Sequence, residues 1–253
     1  MKIGIIGFGN LGKALASGLV KSGSAVKGGL FVCEIDPETR AAAVAEPYFA
    51  HASEDVNFII ESSDVIFLTV KSYVFEALSE IIDRRALEGK TVVSFMAGVS
   101  FEAVYSLIGE TTLVRAMPSL AIADCDGVIG FTKAAPEVAA VFGKLGYAFE
   151  TAPDNIEKVM AFSSCGLGFA AFILDAFASA GHTMGFTPET STRIAAQTFK
   201  NAIDRGGFSE TVKAVATPGG ATEQGVRHME ESDVGGILAE AVGKAYKRMA
   251  GGA

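Results

Sequence analysis

The chain has 253 residues, enough for one large domain or two modest ones, and 49% of them are hydrophobic, too many for a disordered chain. A net charge of −8 without a basic cluster argues against a nucleic-acid partner. Three scattered cysteines (Cys33, Cys125, Cys165) and three scattered histidines (His51, His182, His228) make no disulfide framework and no metal-ligand spacing.

In chain order, residues 2–6 are a short apolar run and predict a strand. The run leads straight into a glycine turn, so no signal peptide is expected here. Helical spacing of Leu11, Leu15 and Leu19 predicts a helix over 11–21, ended by Gly23. Residues 30–34 read as a second strand, and 37–45 as an Ala-rich helix opened by Pro37. The continuous β-branched and apolar run 64–70 is typical of a strand buried on both faces. Apolar residues at 75, 78, 81 and 82 predict a helix over 75–84. Residues 91–95 and 113–115 read as further strands. Strands alternating with helices imply a parallel sheet covered on both faces.

The pattern changes near residue 150. No further strand-like run follows, and 156–180, 188–205 and 232–249 read as helices. A boundary near 151–153 divides the chain into 1–152 and 153–253. The longest uncharged apolar stretch of the second half, 159–174, has 16 residues. A membrane span needs roughly 20, so a buried helix in a soluble, cytoplasmic protein is expected.

Gly7-x-Gly9-x-x-Gly12 lies between a predicted strand and a predicted helix, the context that gives the spacing meaning. The first glycine makes the tight turn, the second lets the backbone approach a pyrophosphate, and the third lets helix and strand pack closely. The following helix N-terminus offers N–H groups and partial positive charge to the phosphates. Phe8, Asn10 and Leu11 complete the loop. Glu34 follows Gly12 by 22 residues, with Asp36 close behind. An acid at that distance either bonds the ribose 2′-OH of NAD or is a solvated loop residue. Arg40 is a counter-charge if the cofactor is NADP.

Later motifs narrow the field. Val70-Lys71 closes one strand, and Ser94-Phe95-Met96-Ala97-Gly98-Val99 closes the next. Arg115-Ala116-Met117-Pro118 follows, then Ala195-Ala196-Gln197-Thr198, and finally Thr217-Pro218-Gly219-Gly220-Ala221-Thr222. In order and spacing these resemble the pyrroline-5-carboxylate reductase family along nearly the whole chain. The resemblance implies an α/β architecture: an N-terminal Rossmann domain with a parallel sheet, then an all-α C-terminal dimerisation and substrate-binding domain. It implies hydride transfer from NADPH or NADH to the C=N carbon of 1-pyrroline-5-carboxylate, giving proline, with no metal. It further implies that Gly7, Gly9 and Gly12 hold the pyrophosphate, that Val70, Lys71, Ala97 and Gly98 lie along the cofactor, and that Asn57 reaches its ribose or phosphate. Met117 and Pro118 would wall the nicotinamide. Thr217, Gly219, Gly220, Ala221 and Thr222 would hold the substrate.

The substrate loop has a physics of its own. Pro218 fixes a turn, and Gly219-Gly220 leave backbone N–H groups unshielded before a helix begins at Ala221, a nest for a carboxylate. Thr222 would bond the ring nitrogen; alternatively it merely caps a Pro-Gly loop. Lys71 either attracts the substrate carboxylate or faces solvent at a strand end, and Cys165 reads as a buried structural thiol rather than a reactive one.

The chain departs from the family in three places. The family's Gly-Ser-Gly-Pro-Ala-Tyr is Ser164-Cys165-Gly166-Leu167-Gly168-Phe169 here, its Met-Pro-Asn ends in Ser119, and its Val-Lys-Pro ends in Ser72. Lost or gained hydrogen-bonding groups change selectivity strongly. A different cyclic imine, or a regulatory homologue that binds the nucleotide without turnover, are the rival readings. A β-hydroxyacid reductase would need a catalytic lysine on an interdomain helix, for which the helices offer only Lys158 and Lys200. Phe162, Leu167, Phe169, Phe172, Ile173, Leu174 and Phe177 do not keep to one stripe, so this helix is expected to be buried in a homodimer or larger homo-oligomer.

Overall fold

The computed structural model describes residues 1–48 and 50–250, so residues 251–253 of the predicted second domain lie outside the described residues. Two compact units emerge, one formed by residues 1–164 with the chain end from 246 onward, the other by residues 165–245.

The first unit is built on an eight-stranded sheet of order β3-β2-β1-β4-β5-β6-β7-β8. These strands are β1 (Ile3–Ile6), β2 (Leu30–Cys33), β3 (His51–Ser53), β4 (Val65–Leu68), β5 (Thr91–Ser94), β6 (Thr112–Pro118), β7 (Gly127–Phe131) and β8 (Gly146–Glu150). Helices α1 (Asn10–Lys21), α2 (Pro37–Val44), α3 (Val56–Glu61), α4 (Ser72–Ser79), α5 (Phe101–Ile108) and α6 (Pro136–Lys144) connect them. All pairings are parallel except β6 with β7, which is antiparallel. The expected sheet is therefore parallel through β6 and mixed beyond it.

Side chains alternate across the sheet, and both faces are apolar. Ile3, Ile5, Leu30, Val32, Val65, Phe67 and Val93 enter one core with Leu15, Leu19 and Phe142. Ile6, Phe31, Cys33, Ile66, Leu68 and Val92 enter the other with Ile59, Ile60 and Phe75. Phe8, Phe67, Phe75 and Phe142 are fully buried, each worth about 1.5–3 kcal/mol in transfer free energy. Pro37 at the first turn of α2 and the Asp36 carboxylate, which accepts from the Thr39 N–H (2.8 Å), explain where that helix starts.

The predicted helix 156–180 is interrupted. α7 (Ile156–Val159) passes through a π-helical turn, Met160–Ser164, before α8 (Cys165–Thr183). Ser163 Oγ donates to the Val159 carbonyl (2.8 Å) and Ser164 Oγ to the Pro118 carbonyl (2.9 Å). Glu157 of α7 pairs with Arg115 of β6, with 15% and 5% of their side chains exposed. These links tie residues 156–164 to the sheet, so the compact unit ends a dozen residues beyond the predicted boundary.

The second unit is helical. α8 is followed by α9 (Pro188–Arg205), α10 (Phe208–Val215), α11 (Ala221–Glu231) and α12 (Val234–Ala250), the last running on past the unit's end. α8 and α9 pack as a hairpin, with Phe177 and Phe199 edge to face at 5.6 Å. Few side chains are buried: Phe172 is 75% exposed and Met184 79%. The run Pro153–Thr183 is long and apolar enough, at 31 residues, to cross a membrane by length and composition. Within one chain little of it is buried, because a small helical layer has no second face to cover it; the burial the sequence predicts calls for a second copy.

Arg115→Met is expected to destabilise the chain by roughly 3 kcal/mol, since it leaves Glu157 buried without its cation. The double variant Arg115→Met/Glu157→Leu should recover more than half of that loss. Urea denaturation at fixed protein concentration checks both.

Candidate functional site

The carboxyl ends of β1, β2, β4 and β5 lie side by side. Gly7 N–H donates to the Cys33 carbonyl (2.9 Å), Thr69 N–H to Ile6 (3.0 Å) and Phe95 N–H to Leu68 (3.0 Å). Strand order reverses at β1, with β2 on one side and β4 on the other. In open α/β sheets the crevice at such a switch point binds ligands.

The glycine turn sits at that crevice. Gly7 has φ +97°, a conformation only glycine adopts freely. A Cβ on Gly12 would stand 2.2 Å from the Gly7 carbonyl oxygen, so α1 can pack onto the turn only through glycine. A Cβ on Gly9 would meet nothing within 4 Å. The space over Gly9 is thus open where a phosphate must approach. Gly9 is also the N-cap of α1, which carries neither a side-chain cap nor an acidic residue in its first turn. Its N–H groups and positive dipole end are left for an external anion. By this test the turn fits a dinucleotide pyrophosphate.

Thr69, which sequence reasoning missed, holds the turn. Its hydroxyl stands 3.0 Å from the Ile6 carbonyl and 2.7 Å from that of Gly7. Val70 Cγ1 packs on the face of Gly7 that has no Cβ. The other loop positions divide by backbone and side chain. Asn10 is exposed, Leu11 packs against the core, and Phe8 is wholly buried, edge to face with Tyr48 at 5.4 Å. The Phe8 side chain is thus closed to a cofactor, and its N–H donates to Glu34 Oε2 (2.8 Å).

Glu34 stands at the tip of β2, as the spacing predicts. Its second oxygen accepts from the Asp36 N–H (3.1 Å). Burial first, then the Glu34 and Asp55 carboxylates, push the neighbouring Cys33 thiol up to about 11, so it stays protonated and inert. Burial likewise raises the Cys165 thiol, although the residue is half-buried rather than buried as the sequence predicts.

Lys71 lies just beyond β4, exposed, as N-cap of α4. Ala97 and Gly98 follow β5, half-buried and exposed, with Gly98 at φ +69°. One expectation is corrected. Asn57 is not free to reach a cofactor: its amide donates to the Ile81 carbonyl (2.8 Å) and accepts from the Asp83 N–H (2.8 Å), bracing α3 to the segment after α4. Met117 and Pro118 are buried in β6, paired with Gly130 and Ile129 of β7.

In the second unit, the loop 217–220 leads into α11 at Ala221, as predicted. Gly219 has φ +75°. Its N–H donates to a Glu223 carboxylate oxygen (2.7 Å), and the Gly220 N–H to the Thr217 carbonyl (2.9 Å). The loop thus already accepts a carboxylate. Gly220, not Thr222, is the N-cap of α11, and no side chain caps that helix. Thr222 is exposed and does not merely cap a turn. Lys158 is held by Asn155 (2.8 Å) and Lys200 by Asp204, both on the surface, so neither stands as a catalytic lysine.

Fold and turn together define a dinucleotide-binding Rossmann unit joined to a helical unit. A family model described as pyrroline-5-carboxylate reductase dimerisation matches residues 153–251, and one described as NADP oxidoreductase coenzyme F420-dependent matches residues 2–98. Pyrroline-5-carboxylate reductases of Aquifex aeolicus and Escherichia coli are each 29% identical to this chain, over 98% of it and 96% of their own length. The structure of a Plasmodium falciparum pyrroline carboxylate reductase with NADP bound matches the fold with a TM-score of 0.89 at 20% identity, covering 99% of this chain and 97% of that one. Residues 153–251 thus match the pyrroline-5-carboxylate reductase dimerisation model, and nearly the whole chain is similar to pyrroline-5-carboxylate reductases.

Gly9 and Gly12 should separate binding from folding. Gly12→Ala is expected to cost roughly 1–3 kcal/mol, through the contact with the Gly7 carbonyl. Gly9→Ala, at a permitted φ of −69°, should change stability by less than about 0.5 kcal/mol yet weaken reduced nicotinamide binding about tenfold or more. Thermal unfolding and calorimetric titration distinguish the two.

Proposed function

We propose that the protein reduces 1-pyrroline-5-carboxylate to proline at the expense of NADH or NADPH. The observation that carries the reading is the open, uncapped glycine turn at the strand switch point, in a chain similar to the pyrroline-5-carboxylate reductases. Residues 1–152 bind the cofactor. Residues 153–253 assemble a soluble, cytoplasmic homodimer or larger homo-oligomer and hold the substrate, the partner covering the apolar faces of α8.

When bound, the reduced nicotinamide supplies a hydride to the C=N carbon. The chain's residues bind and orient. First-turn N–H groups of α1 hold the pyrophosphate, and Thr69 keeps the turn rigid beneath it. The N–H groups of Ala221 and Thr222 at the uncapped end of α11 hold the imine's carboxylate, with the flexible Glu223 carboxylate giving way. Thr222 Oγ bonds the ring nitrogen and relays a solvent proton to it as the hydride reaches the carbon, its own hydroxyl being restored from water. Lys71 adds a positive charge that draws the anionic substrate in. No metal takes part.

The altered segment Ser164–Phe169 favours one second reading, the same chemistry on a different cyclic imine. Loss of reduced-nicotinamide absorbance with 1-pyrroline-5-carboxylate tests the main reading. Turnover only with another cyclic imine would replace the substrate and keep the chemistry. Cofactor binding without any turnover would leave a regulatory protein. Thr222→Val should lower kcat/KM on the order of a hundredfold, while Thr222→Ser stays within about tenfold.

A further inference from the structure

We propose that Glu34 makes NADH, rather than NADPH, the reductant that this chain prefers; this rests on the reductase reading above. Glu34 ends β2 beside the glycine turn, where the adenosine ribose of a bound dinucleotide lies in this class of fold. Its carboxylate is fixed in place, Oε2 by the Phe8 N–H (2.8 Å) and Oε1 by the Asp36 N–H (3.1 Å). Each oxygen keeps a further lone pair. The group is therefore a rigid acceptor for ribose hydroxyls, with its full negative charge at the point where a 2′-phosphate would enter.

The cation needed to offset that charge is engaged elsewhere. Arg40 Nη1 donates to the carbonyls of Glu34 (2.8 Å) and Ile35 (3.1 Å) and stands 3.3 Å from the Glu54 carboxylate. Lys13 also acts on this rim, through Asp36. Hydrogen bonds from Thr39, then Arg40 and Lys13, hold the Asp36 carboxyl below its usual range. Arg40 thus already serves Glu54 and Asp36, and Lys13 acts on Asp36, on a rim that carries Glu34, Asp36, Glu54 and Asp55. The field also reaches Cys33, whose thiol Glu34 and Asp55 help to keep protonated. A phosphate carrying nearly two charges meets net repulsion there, while two hydroxyls meet an acceptor pair.

Calorimetric titration of the full-length protein with NADH and with NADPH, without imine, tests the proposal. The wild type should bind NADH about tenfold tighter or more. Glu34→Gln keeps an acceptor for the Phe8 N–H and removes the charge. It should raise NADPH affinity by about tenfold and narrow the gap. Equal or tighter wild-type binding of NADPH overturns the proposal, and so does an unchanged ratio in a Glu34→Gln protein whose circular dichroism matches the wild type. The wild-type ratio decides by itself if that variant does not fold. Failure to bind either cofactor is a different outcome: it sinks the reductase reading, and this proposal with it.

Discussion

The β1–α1 turn permits no side chain at Gly12, where a Cβ would meet the Gly7 carbonyl oxygen at 2.2 Å. Much follows from that contact. It brings the N-terminus of α1 onto the end of β1, which aims the helix dipole at the crevice between β1 and β4. It places the Phe8 N–H beside β2, where Glu34 receives it. It also leaves the Gly7 carbonyl within reach of the Thr69 hydroxyl, tying β4 to the same turn. A few atoms of backbone thus set the open helix end, the position of Glu34 and the strand end carrying Val70 and Lys71.

The second unit solves a related problem differently. Two glycines and a proline open α11 without a side-chain cap, leaving a helix N-terminus that attracts negative charge. In the isolated chain, Glu223 supplies that charge from the same helix. Under the proposed function, a substrate carboxylate would compete with this part-exposed glutamate for the loop. The same unit exposes Phe172, Met184 and Phe208, so its stability depends on what covers them.

The parts legible in the sequence are those whose signal is local. Buried strands β1, β4 and β5 announce themselves as β-branched runs, and the glycine spacing between a strand and a helix carries its own geometry. The strands β7 and β8, Gly127–Phe131 and Gly146–Glu150, mix glycine with aromatic residues and lack that signal, so the antiparallel turn of the sheet stayed hidden. The π-helical turn at Met160–Ser164 is a hydrogen-bond pattern that composition does not reveal. Thr69 looked like one more β-branched strand residue, and only its two carbonyl partners show what it does. Asn57 misled for the converse reason: a polar residue near a helix start reads as available until its partners, Ile81 and Asp83, are seen.

The central claim is that the glycine turn is a dinucleotide site. It is tested most directly by a crystal structure of the protein grown with NADH and proline. The account predicts pyrophosphate density against the first-turn N–H groups of α1, over Gly9, with the adenosine ribose hydroxyls on Glu34. Dinucleotide density elsewhere on the chain, with the turn at Gly7 to Gly12 bare, would contradict it.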